Sequence, residues 1–81
     1  MSNQLDYLDQ LALRAAKGDL EAVRGLSKGE RVYVALAANS AVLLAQGGDT
    51  IAEALDRIGP EWTAALVERW RHRGDPAKLD S

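Results

Sequence analysis

The side chains that could perform covalent chemistry are few and poorly placed: Ser2, Ser27, Ser40, Ser81 and a single histidine, His72. A nucleophilic serine needs a base beside it and a third group to orient that base. Ser27 fits a helix cap, and His72 falls among arginines at a predicted helix end, where a cation complements the helix dipole. The carboxylate pairs Asp6/Asp9 and Glu53/Asp56 are spaced three apart on helix faces. No apolar surroundings are legible around them to shift a pKa, so they read as solvated faces. Gly47-Gly48 lacks the lysine and preceding strand of a phosphate-binding loop. With one histidine and no cysteine, a zinc site of the usual kind is not expected. These residues predict no enzyme, no cofactor and no metal.

Binding chemistry is better supplied. Trp62 and Trp70 lie eight residues apart on one helix face, beside Arg69, Arg71 and Arg73. Buried, the two indoles would supply bulk to a core; partly exposed beside arginines, they would form a hot spot for a protein partner. The expected partner-binding set is therefore Trp62, Arg69, Trp70, Arg71 and Arg73. Asn39 sits at the edge of a helix side that also carries Val32, Leu36 and Leu43. A polar residue there can set the register of two paired helices, so these four are the expected self-association set.

The run TIAEALDRIGPEWTAALVERWRHR (50–73) resembles a helix-turn-helix, with a short helix, a glycine-containing turn and an arginine-rich second helix. The resemblance implies DNA binding through this pair. The run departs from the pattern at Leu55, where a small residue is usual, and at Pro60, where the turn usually continues. Its basic charge also lies at the far end of the second helix. The net charge of −2 and pI near 5.2 add no general attraction to nucleic acid or anionic membrane.

The elements that must position these residues read as helical throughout. Leu5, Leu8, Ala12 and Ala15 recur at helical steps, with Leu11 and Leu13 widening the face, and Gly18 fits a left-handed stop. Asp19 is placed to cap LEAVRGL, whose Leu20, Val23 and Leu26 form a short apolar edge. The run LRAAKGDLEAVRGLSKG (13–29) resembles one helical hairpin of an ankyrin repeat in its Gly-Asp turn. The Thr-Pro-Leu-His opening is missing and no second copy follows, so the likeness is one of turn chemistry. Ser27 and Glu30 form a capping box that opens a central apolar helix over about 28–46. Asp49 or Thr50 starts a fourth helix with Ile51, Leu55 and Ile58 facing inward. Gly59-Pro60 joins it to a fifth that buries Trp62, Leu66 and Trp70.

The expectation is an all-α, compact bundle of about five short helices wrapped round the central one, a single domain over 1–81 with a flexible tail over 75–81. Alanine accounts for 14 residues and phenylalanine for none. So thin a supply of bulk, with no disulfide, makes a homodimer the expected remedy. No segment reads as a secretion signal or a membrane span, and the default location is cytoplasmic. The expected function is a small soluble interaction or regulatory module that binds another protein. The alternative is a DNA-binding regulator using 50–73, and a small-molecule binder with a cavity between helices is a remote third.

Overall fold

A computed structural model describes residues 3–71 and shows four α-helices: α1 (Asn3–Ala16), α2 (Lys28–Ala37), α3 (Ala41–Gly47) and α4 (Ile51–Trp70). One turn of 3-10 helix, Leu20–Val23, stands between α1 and α2. No strand occurs among the described residues, so the all-helical class holds. The five-helix count does not. The tail over 75–81 lies outside the described residues.

α1 buries the residues its periodicity marks, Leu5, Leu8, Leu11, Ala12 and Ala15, whereas Leu13 turns outward. It stops at Gly18, whose φ of 102° is open to glycine at no steric cost. The Gly18 and Asp19 amides donate to the Ala15 and Arg14 carbonyls, the paired bonds of a left-handed helix stop. Asp19 caps nothing with its side chain, because Arg14 holds that carboxylate through Nε and Nη2 at 3.0 and 2.8 Å. The expected second helix is accordingly only the 3-10 turn, and Arg24-Gly25 ends it.

α2 opens with the expected capping box, Ser27 and Glu30 bonding each other's backbone amides. Four consecutive residues, Val32 to Ala35, are buried, because α2 packs against α1, α3 and α4 at once. The central helix is shorter than the sequence suggests. Asn39 adopts a φ of 52°, and the Asn39 and Ser40 amides donate to the Leu36 and Ala35 carbonyls. That is the same stop as at Gly18, made by the residue that best tolerates the left-handed region after glycine. Ser40 then caps α3, its hydroxyl accepting from the Leu43 amide at 3.2 Å. The predicted helix over 28–46 is thus two helices. Of α3 only Leu43 is buried, and Ala41 and Ala45 face solvent.

α4 carries both predicted C-terminal helices, which meet at the expected Gly59-Pro60 junction through one non-helical residue. Thr50, not Asp49, supplies its cap, with Glu53 reciprocating. Gly59, at φ 85° and ψ 167°, breaks the helical geometry ahead of Pro60, and the Thr63 hydroxyl bonds the Leu55 carbonyl at 3.1 Å across the kink. The inward stripe is Ala54, Ile58, Trp62, Leu66 and Trp70, each four residues on; Ile51, expected inside, is exposed.

The Asn39 stop yields a prediction. Asn39→Val should lower unfolding stability by about 1–2 kcal/mol, since a β-branched side chain is costly at positive φ. Asn39→Gly should cost little or nothing. Urea denaturation of both variants checks this, and equal losses would remove the left-handed turn as the reason α2 ends.

Candidate partner-binding site

The C-terminal half of α4 is held by one carboxylate. Asp9 lies four residues after Leu5 and three before Ala12, which places it on the buried side of α1. Its Oδ1 accepts from the Tyr33 hydroxyl and the Trp70 Nε1, both at 2.7 Å. Its Oδ2 accepts from Arg69 Nη1 at 2.8 Å, and the same nitrogen reaches Asp6 at 2.8 Å. The Asp9 side chain is only 15% exposed against 63% for Asp6. Solvated faces therefore describes Asp6 but not Asp9. The missed signal was chemical: Tyr and Trp buried in a core need an acceptor, and Asp9 is the carboxylate that falls within the α1 apolar stripe.

The electrostatics follow from that contact. Burial, and then the hydrogen bond to Asp9, raise the Tyr33 phenol well above its ordinary value. The hydrogen bonds that Arg69 donates to Asp6 and Asp9 raise its guanidinium, which stays charged. Trp62 packs edge-on against Tyr33, ring centroids 5.6 Å apart and planes at 76°, a geometry worth about 0.5–1.5 kcal/mol beyond its area. Both tryptophans are half-buried and lie against the core.

Beside this latch runs an open groove of about 490 Å³. The end of α2 lines it with Leu36, Ala37 and Ala38, α4 with Leu66, Val67 and Trp70, and α1 with Ala16. Asn39 and Arg71 complete its edge. Of the residues expected to bind a partner, Trp70 and Arg71 line the groove, Arg69 is engaged by the two aspartates and Trp62 lies against Tyr33. Arg73, like His72, lies outside the described residues. Of those expected to mediate self-association, Leu36 and Asn39 line the groove, while Val32 and Leu43 are buried within the subunit. Val67 and Ala16 were not singled out by sequence, since neither belongs to an apolar stripe.

A second, smaller cavity of about 90 Å³ lies between α2, α3 and the start of α4. Among the described residues no group of three or more His, Asp or Glu could hold a metal ion, and no helix is long and apolar enough to cross a membrane. Comparison with family models, curated proteins and solved structures finds no match for this chain.

Two outcomes are expected of the latch. Asp9→Ala leaves the Tyr33 hydroxyl and Trp70 Nε1 without their acceptor and Arg69 with one partner fewer. The loss in urea denaturation should be about 3 kcal/mol, an orphaned polar group costing ~1–3 kcal/mol. A loss below about 1 kcal/mol, within the range of a surface change, would show that water replaces the carboxylate. The second is a pH dependence. A phenol whose folded pKa is raised contributes stability that is fully present below its unfolded value, about 10, and is lost as pH rises beyond it. Thermal melts should therefore show stability falling above pH ~10, less steeply in Tyr33→Phe than in the parent.

Proposed function

We propose that the chain is a helical interaction module that acts by binding another protein in the groove between the ends of α2 and α4. The observation carrying this reading is Val67, a large aliphatic side chain 54% exposed in the wall of an apolar groove. Single exposed apolar residues are ordinary, but a contiguous apolar recess is where partners dock. Leu36, Leu66 and Trp70 continue the surface that Val67 begins. Trp70 is already fixed by its bond to Asp9, so contact with a partner costs less side-chain entropy. Tryptophan is also the residue type most enriched where binding energy concentrates. An amphipathic helix, apolar on one side, is the shape such a groove accepts.

Self-pairing is less well supported by the same surface. Two-fold pairing sets a patch against its own copy, and a concave groove facing itself leaves a void. Leu36 and Asn39 are the expected contact residues that remain available to it. DNA binding is likewise weakened. Arg69 is neutralised by Asp6 and Asp9, Arg57 is paired with Asp49 at 3.0 Å, and Arg71 has Glu68 at 3.9 Å. Phosphate contacts need free cations, and a single-residue kink does not give the three- or four-residue turn of a helix-turn-helix.

Val67→Glu tests the reading. Being exposed, the change should leave helix content and thermal midpoint nearly unaltered. Peptides selected from an amphipathic-helix library against the parent protein should bind the variant at least about thirtyfold more weakly, a charge having been forced into an apolar contact. Anisotropy measures the affinity, and Trp70 emission reports from the groove. Equal binding by both proteins would remove the groove as the docking face. A doubled mass in sedimentation, abolished by Val67→Glu, would instead assign the groove to a second copy.

A further inference from the structure

The second cavity stands apart from the groove, and its walls and mouth differ in kind. Val32, Ala35, Leu43 and Ala54 form a buried apolar floor contributed by α2, α3 and α4. The mouth carries Lys28, Arg31 and Asp49. Asp49 is not an open acceptor: Arg57 Nε bonds its Oδ2 at 3.0 Å and Lys28 Nζ stands 3.8 Å from the same oxygen. Lys28 Nζ also donates to the Gly47 carbonyl at 2.7 Å, tying the start of α2 to the end of α3. The Arg31 guanidinium, by contrast, is exposed at the mouth and has no hydrogen-bond or ion-pair partner among the described residues. The two cations lining the mouth outnumber its one carboxylate, so the local field favours an anion.

Size limits the ligand further. A cavity of ~150 Å³ lined by apolar side chains takes a benzene-sized guest. On that scale about 90 Å³ takes roughly three or four carbons. We infer that this cavity is a binding site for a short-chain aliphatic monocarboxylate of about butyrate size, its tail on the Val32–Ala35–Leu43–Ala54 floor and its carboxylate on Arg31. The guanidinium is suited to that role because its planar fork meets both carboxylate oxygens at once. The site is independent of the protein-binding groove and lies on residues that the groove does not use.

The experiment is a titration of the full chain, isotopically labelled, with sodium butyrate, followed by amide chemical shifts, with acetate and n-butylamine as controls. Butyrate should give saturable shifts at Val32, Ala35, Leu43 and Ala54 with a millimolar Kd, consistent with so few ligand atoms. Acetate should bind more weakly for want of a tail, and n-butylamine should give no saturable shift for want of a negative charge. Arg31→Ala, an exposed change, should raise the Kd about tenfold, the loss expected of one charge-assisted contact. Ala35→Leu, which fills the floor, should abolish the saturable shifts while the thermal midpoint holds or rises. Non-saturable shifts, equal affinity for n-butylamine, or an unchanged Kd in Arg31→Ala would each overturn the assignment.

Discussion

The bond network at Asp9 is the constraint on which the arrangement of α4 rests. One carboxylate on α1 receives a phenol from α2 and an indole and a guanidinium from α4. Three helices therefore converge on two oxygen atoms. A carboxylate this enclosed is tolerable only because its acceptor positions are filled. The same enclosure ranks the partners: Tyr33 is fully buried and has no alternative acceptor in the bonds described, whereas Arg69 also has the exposed Asp6. The network thus specifies how α4 lies against α1, a task that apolar packing alone performs less selectively.

That specificity compensates for a core made of small parts. Among the buried residues alanine recurs in every helix but α3, and the largest fully buried side chains are Tyr33, Leu8 and Val34. Bulk is supplied at the edge of the core, by Trp62 against Tyr33 and by Trp70 beside Leu36 and Leu66. A tryptophan used in this way keeps part of its ring at the surface. The shortage of core volume and the presence of an apolar groove have one physical origin: the side chains large enough to close the core are too large to be enclosed by alanines.

The groove and the smaller cavity divide the molecule between them. The groove lies at the end of α2 and takes its rigidity from the Asp9 network. The cavity lies toward the start of α2, under the Lys28 bond to Gly47 and the Asp49–Arg57 pair. At that end the Asp49 carboxyl is held below its ordinary value, chiefly by the hydrogen bond from Arg57, and so stays ionised as the counter-charge to Arg57 and Lys28. Each end of the same helix carries a recess of different character, apolar and open at one, small and flanked by cations at the other.

Local chemistry was legible in the sequence wherever it depends on neighbours along the chain. The all-helical class, the capping boxes at Ser27 and Thr50, the stop at Gly18 and the buried stripe of α1 follow from residue type and spacing of three or four. The split at Asn39 was also encoded locally, in Asn-Ser, but an unbroken apolar run masked it, because apolar periodicity continues through a turn whose two sides face the same core. Periodicity alone points Ile51 inward, whereas Ala54 is the residue that is buried, lining the small cavity with side chains of α2 and α3. What only the tertiary structure decided is which polar groups meet. Asp6 and Asp9 are chemically identical and three residues apart, and nothing along the chain separates them. One is enclosed and the other solvated because Tyr33, Arg69 and Trp70 come from positions 24 to 61 residues away. The groove has the same character: Ala16 and Val67 are unremarkable in their own helices and join Leu36 in one surface only where those helices end side by side.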